Sequence, residues 1–429
     1  MNTPAHSHLG ASSADRWMSC PASVKASEGI PDNGSVFAAE GTAAHHLAEL
    51  VLARFKGMRN VLADPDAAAA DYVGNFIHVF EHAGKKLVGM TPDEEPPITF
   101  PLAPEPRTFE VTEEMADHVQ VYLNYLRIFT HSEDPACVEW DYEIRFSLTH
   151  LHPGMFGTGD FRAVAHGLLT IVDLKYGKGV VVGAIDNAQL LYYALGAYEA
   201  LPAEQKRKVK RIRMAIVQPR TADPVRSWEI DLEDLLLWSN DLIMLAQSTE
   251  SPNAPFKAGD HCMFCRAKPI CETARREALR IAQADFMAEP GTIPDVQEAA
   301  SMTPETLAKI LSEADYLEGW INSVRQYAHE RAVAGVEVPG MKLVAKRPMR
   351  RWKDPEGAET ELAGLIDPWV KKLVSPAQAE KLLGSKRKNL IDGLWHSISS
   401  GTVLVPLSDK REPVKAAAAD DFAVLLAED

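Results

Sequence analysis

GTGDFRAVAHGLLTIVDLK, residues 157–175, decides the fold. Two runs inside it, GDFRAVA and LLTIVDLK, are β-branched or alternating. His166-Gly167 between them is a tight turn, so the pair reads as a β-hairpin. Gly159-Asp160 opens the first strand and Asp173-Leu174-Lys175 closes the second. Both ends of such a hairpin lie at one edge of the sheet, so Asp160 and Asp173 converge. Two carboxylates a few ångströms apart repel unless a hard divalent cation, Mg²⁺ or Mn²⁺, sits between them. Lys175 lies two residues beyond Asp173 and emerges on the same face. Its ammonium can there orient a water or stabilise charge developing on a phosphate.

Working outward, VEWDYEIRFSL precedes the hairpin as a further strand, and Glu143 on it is an additional carboxylate within reach. Asn187 to Ala200 reads as a helix, RIRMAIVQP and VRSWEID as two more strands, and Leu232 to Gln247 as a helix. That order predicts an α/β fold with a mixed central sheet flanked by helices. Upstream, Phe37–Phe55, Ala68–Ala83 and Glu113–Phe129 read as helices, with the proline-rich loop TPDEEPPITFPLAPEP before the last of them. Downstream of residue 285 the composition shifts. Thr303-Pro304 opens a helix that Gly335 closes, and Leu307, Ile310, Ala314, Leu317, Ile321, Val324 and Ala328 give it a 3,4-spaced seam. The expected organisation is a core domain over 1–285, an α+β accessory domain over 286–410, and an acidic-apolar tail over 411–429.

Further chemistry flanks the hairpin. Gly41, His45 and Glu49 stand four residues apart on one helix face, so His45 can add an imidazole ligand and Glu49 a carboxylate behind it. Gln189 and Tyr193, one turn apart, can point into the same cleft. Cys20 in RWMSCP and Cys262, Cys265 and Cys271 in HCMFCRAKPIC supply four thiolates, the number that a [4Fe–4S] cluster or a structural zinc requires. A shared centre would close about 240 residues and, by analogy with a disulfide, contribute roughly 5 kcal/mol. The fifth cysteine, Cys137, reads as a core residue.

A net charge of −15 argues against a broad nucleic-acid-coating surface but leaves room for a focused basic groove. Two cationic runs offer one: Lys206–Arg213, and Lys342–Lys353 with Trp352 inside it as a stacking face. No apolar run approaches the length of a membrane span, and MNTPAHSHLG lacks the form of a signal peptide, which predicts a cytoplasmic protein.

The set resembles the PD-(D/E)XK nuclease superfamily, in its RecB-like branch with an iron–sulfur cluster. The histidine motif G-x₃-H matches Gly41 and His45, G-x-x-D matches Gly157 to Asp160, and D-x-K matches Asp173 to Lys175. Q-x₃-Y falls on Gln189 and Tyr193, and the cluster ligands fall on the four cysteines. The resemblance covers residues 10–280 and is nearest to stand-alone members from phage replication and recombination modules; no helicase motif is present. It implies a restriction-endonuclease-like core stapled by [4Fe–4S], with zinc as the alternative occupant. It also implies a metal-dependent DNA exonuclease acting in the bacterial host cytoplasm. Asp160, Asp173 and His45 would hold Mg²⁺ or Mn²⁺, Lys175 would position the attacking water, and Gln189 and Tyr193 would hold the strand. The C-terminal third would guide DNA, and the tail would recruit a single-stranded-DNA-binding or other replication protein. The rival expectation is a non-hydrolytic DNA-end-binding protein of the same fold.

Overall fold

The computed structural model describes residues 7–30, 35–55, 68–82, 85–92, 107–130, 138–177, 180–286, 303–345, 349–363, 365, 375–383, 387–398, 402–406 and 413. Two compact units divide the chain, Met1–Leu279 and Arg280–Asp429.

In the first unit, the helices α1 (Ala14–Ser19), α2 (Ser23–Ala26) and α3 (Val36–Phe55) lead into strands β1 (Phe76–His82), β2 (Lys85–Thr91) and β3 (Arg107–Glu110). After α4 (Glu113–Thr130) come β4 (Val138–Ser147), β5 (Phe156–Ala165), β6 (Leu168–Leu174), α5 (Ala188–Glu199) and α6 (Ala203–Lys206). Then follow β7 (Arg211–Val217), β8 (Val225–Asp231), α7 (Leu232–Glu250) and α8 (Glu272–Phe286). The main sheet has five strands in the order β4-β5-β6-β7-β8. All its neighbours run antiparallel except the parallel pair β6–β7, which α5 and α6 connect. It is thus the mixed α/β sheet that the strand order implies. The β5–β6 turn is a two-residue hairpin turn with positive φ at both positions, 49° at His166 and 79° at Gly167.

One stretch folds otherwise than its composition suggests. The helix expected over Ala68–Ala83 is instead a single 3₁₀ turn, Ala69–Tyr72, followed by β1. From Phe76 onward the chain is aromatic and β-branched, and it pairs with β2 on one side and β3 on the other. His78 is fully buried in that three-stranded sheet, its ring nitrogens at 2.9 Å from Thr108 Oγ1 and 2.6 Å from Thr91 Oγ1. A helix would leave this imidazole without hydroxyl partners. The proline-rich loop from 93 onward and Cys137 lie outside the described residues.

Alternation along β5, β6 and β7 sends side chains to two cores. Phe161, Ala163, Val172, Leu174, Ala215 and Val217 meet α3 and α4 through residues such as Leu47 and Leu123. Leu169, Ile171, Ile212, Met214 and Ile216 meet α5 and α7, with Trp17 of α1 inserted among them. Gly196 lets α5 approach β4, because a Cβ there would collide with the Phe146 ring. This close seat fixes the height of α5 above the Asp173 end of the sheet.

In the second unit a long helix, Pro304–Val333, ends at Gly335 with φ +84°. Its seam positions from Ile310 to Ala328 are half-buried. Strand β9 (Met341–Ala345) pairs with β12 (Thr402–Pro406), and β10 (Met349–Trp352) with β11 (Trp395–Ile398). Of the tail, only Pro413 is described; it bridges to Val344. Among the described residues, no helix is long and apolar enough to cross a membrane.

Candidate active site

Antiparallel register aligns three acids across β4, β5 and β6. Pairing of Tyr142 with Phe161 and of Ile144 with Gly159 sets Glu143 opposite Asp160. Continuing the β5–β6 register one step beyond Phe161–Val172 sets Asp160 opposite Asp173. The backbone ladder between β5 and β6 stops there, and the Asp160 carboxylate takes its place, accepting the Leu174 N–H at 2.8 Å through Oδ2. The same oxygen lies 3.5 Å from His45 Nδ1 on α3. Leu47, Ala48 and Val51 bury one face of that helix and leave His45 at its rim.

Asp173 is only 2% exposed. Its Oδ1 accepts from Gln189 Nε2 at 3.3 Å, and the same amide nitrogen reaches Tyr193 Oη at 3.0 Å. Lys175 Nζ stands 2.8 Å from Asp173 Oδ2, so this buried oxygen is paired with the ammonium. Burial raises the Asp173 carboxyl above its ordinary range, against the pull of Lys175 and with help from Asp160. Burial also lifts the Glu143 carboxyl to about 7, with further push from Asp160 and Glu49. Glu143 carries a left-handed φ of 47°, costly for a non-glycine residue. Its side chain remains exposed, so water screens part of the repulsion.

The structure therefore brings together His45, Asp160, Asp173, Lys175, Gln189 and Tyr193. Glu49 departs from the expected role: its carboxylate pairs with His46 at 3.3 Å rather than standing behind His45. Gly41 has open space over its Cα, so nothing in the folded chain requires a glycine there. Tyr122 on α4 is the residue that sequence reasoning missed. It is buried, and burial followed by the charges of Asp160, Asp173 and Glu143 holds its hydroxyl well above the ordinary phenol range. Its spacing in α4 marks only a core position.

The four cysteines are free thiols. Cys20 ends α1 beside the 255–261 segment, where Lys257 N–H donates to its Sγ at 3.4 Å and His261 hydrogen-bonds to it. Cys265 lies 4.0 Å from Ser27 Oγ, and Arg16 and Lys268 place cationic charge beside these sulfurs. Among the described residues, no three His, Cys, Asp or Glu side chains are closed into a ready coordination sphere.

The first basic run is largely paired with acids, and most of the second lies outside the described side chains. In the first, Lys206 pairs with Glu199 at 2.7 Å, Lys208 with Glu204 at 2.8 Å, and Arg211 and Arg213 both with Glu229. It also lies beside the Gly167 turn, at the opposite end of the sheet from Asp173. In the second, residues 346–348 and the side chains of 349–351 lie outside what the structure describes. Trp352 is half-buried and packs in part against Leu362, Ala379, Leu383 and Ile391.

A family model for a protein of unknown function, DUF2800, matches residues 6–412. The chain belongs to this family. The DUF2800 match takes in most of both compact units, so the carboxylate edge and the cysteines fall within the one family region.

Proposed function

We propose that the chain is a metal-dependent DNA nuclease of the PD-(D/E)XK type, acting as an exonuclease. The observation that carries this reading is the row Glu143–Asp160–Asp173 with Lys175 Nζ 2.8 Å from a buried Asp173 oxygen. Three acids in a row repel one another, and a hard divalent cation relieves that repulsion. The donor set fits Mg²⁺ or Mn²⁺: hard carboxylate oxygens from Asp160 and Asp173, with His45 at the rim. When bound, such an ion offsets negative charge on a phosphodiester and lowers the pKa of a water.

The chain's own groups do the rest. Lys175, on the Asp173 face of the strand end, holds the attacking water and faces the charge that develops on phosphate. Gln189 fixes the Asp173 carboxylate and the Tyr193 hydroxyl in one orientation. Asp160 is held by the Leu174 N–H, so it enters the site with its rotamer set. Cys20, Cys262, Cys265 and Cys271 are the right number and kind of ligand for a four-sulfur structural centre, [4Fe–4S] or zinc, with Arg16 and Lys268 placing positive charge beside the sulfurs. The test is release of nucleotides from end-labelled single- and double-stranded DNA with Mn²⁺ and with chelator. Cleavage that is insensitive to chelator removes the reading.

A pH signature accompanies it. The raised carboxyls of Glu143 and Asp173 keep their protons longer in the folded state than in the unfolded one. The stability they contribute is complete below the unfolded pKa, about 4.3 or lower, and is lost as pH rises towards 7. Without metal, the melting temperature should therefore fall across that window. Saturating Mn²⁺ should raise it more at pH 8 than at pH 5.5, because the ion needs ionised carboxylates. Differential scanning fluorimetry checks this, and an equal Mn²⁺ shift at both pH values counts against a cation at these acids.

A further inference from the structure

Among the described contacts, the residues at the β7–β8 connection reach neither Asp160 nor Asp173, yet two of them reach both the segment after Lys175 and the helix that carries His45. Gln218, at the end of β7, is 1% exposed. Its Nε2 donates to Gly177 O at 2.8 Å and to Val180 O at 2.7 Å. Its Oε1 accepts from Val182 N at 3.1 Å and from Arg226 at 2.6 Å. Both donors and both lone pairs of the amide are thus used, and three of the four bonds hold the segment that follows Lys175. Arg226 adds a bond from Nε to Val182 O at 2.8 Å.

Two residues on, Arg220 is 12% exposed at its side chain and faces the other way. Its guanidinium lies 4.9 Å from the Tyr176 ring centroid, next to Lys175. It also bonds Glu40 on α3 at 3.2 Å, five residues before His45, and stands 3.9 Å from Glu114 on α4. One turn therefore holds the lysine-bearing loop and the histidine-bearing helix at once. The turn itself is closed by Gln218 N–H to Pro224 O at 2.7 Å and by Thr221, whose N–H and hydroxyl donate to Gln218 O at 3.2 and 2.8 Å.

We infer that Gln218 and Arg220 are the positioning residues of this site, setting Lys175 and His45 against each other across the Asp160–Asp173 edge. The inference rests on the nuclease reading for its kinetic consequence, though not for its geometry. In the loop they hold, 176–186, Tyr176, Val182 and Ala184 pack on the core, but Val180, Val181 and Ile185 between and beside them are 53%, 65% and 69% exposed, so that part of the loop depends on polar anchoring. The buried Gln218 amide adds fixed polar anchoring at Gly177, Val180 and Val182 to that packing. A displacement of about 1 Å at the water-holding ammonium is enough to cost roughly a hundredfold in rate.

Gln218→Glu and Arg220→Lys test the inference with little change of volume. The first turns a double donor into an acceptor facing two carbonyls, and the second keeps the charge but loses the planar fork and the ring contact. With Mn²⁺ and end-labelled DNA, each variant should lose about ten- to a hundredfold in kcat, with KM within about twofold. Mn²⁺ affinity measured by calorimetry should stay within about twofold, since the carboxylates are untouched. A purely structural role would instead lower kcat and the folded fraction in proportion, and that outcome, or wild-type kcat in both variants, overturns the inference. Should the wild type cleave no DNA, the nuclease reading fails separately. The clamp is then judged by limited trypsin digestion: cleavage within 175–186 should quicken several-fold in Gln218→Glu while other sites hold, and unchanged cleavage overturns it.

Discussion

Asp173→Ala should give a protein that still binds DNA, cuts it at least about a hundredfold more slowly, and melts no lower than the wild type when metal is absent. The two halves of this result pull in opposite directions, which is what separates a working carboxylate from a supporting one. Asp173 is buried, and its carboxyl is pushed up by that burial against the pull of Lys175. Its charge therefore weakens the metal-free fold, and removing it relieves strain while the site loses its cation ligand. Lys175→Ala should show the reverse stability sign. It lowers turnover by a similar factor but strands Asp173 without the counter-charge at 2.8 Å, so the melting temperature falls. Asp160→Ala lies between, because it also removes the acceptor of the Leu174 N–H. End-labelled DNA time courses and thermal unfolding of the three variants decide the matter. Full activity in Asp173→Ala disposes of the site.

What the sequence shows of this protein depends on how local each decision is. The β5–β6 hairpin is legible because strand alternation, a two-residue turn and the acids at both ends all sit within 19 residues. The helices α3, α4, α5 and α7 are legible for the same reason, as their apolar spacing is internal to each. β1 is misread because its alanine-rich approach favours a helix. The partners that make it a strand, Thr91 and Thr108 around His78, stand on either side of a proline-rich stretch. Trp352 shows the same limit: the residues ten to forty positions later that cover part of its ring cannot be read from its neighbours in sequence. The run Lys206–Arg213 looks like free positive charge until the fold brings up Glu229 from the next strand. At the site, the motif-bearing residues are legible one by one. Gln218, Arg220 and Tyr122 are not, since their roles exist only through contacts made across α3, α4 and the β6–α5 loop.

The cysteines carry the second large expectation. Replacing Cys20, Cys262, Cys265 or Cys271 with serine should each remove the same bound centre and cost up to about 5 kcal/mol of stability, because one closure of about 240 residues depends on all four. Part of that closure is made by the polypeptide alone. Trp17 is fully buried, Ala22 N–H bonds Pro255 O at 3.3 Å, Lys25 Nζ reaches Glu250 O at 2.7 Å, and Arg266 reaches Ile30 O at 3.0 Å. The N-terminal segment should therefore stay docked in each serine variant at moderate temperature, and melting should begin there on heating. Anaerobically purified wild type should carry iron and sulfide and be brown; one zinc and no iron would replace the cluster and keep the four-thiolate centre. Catalytic turnover at low temperature should survive the substitutions, since no cysteine reaches the Asp160–Asp173 edge among the described contacts. Metal analysis, hydrogen exchange of residues 9–30 and turnover, taken together on the four variants, provide the check. If the four variants differ from one another in metal content, with one still fully loaded, the centre does not use all four thiols.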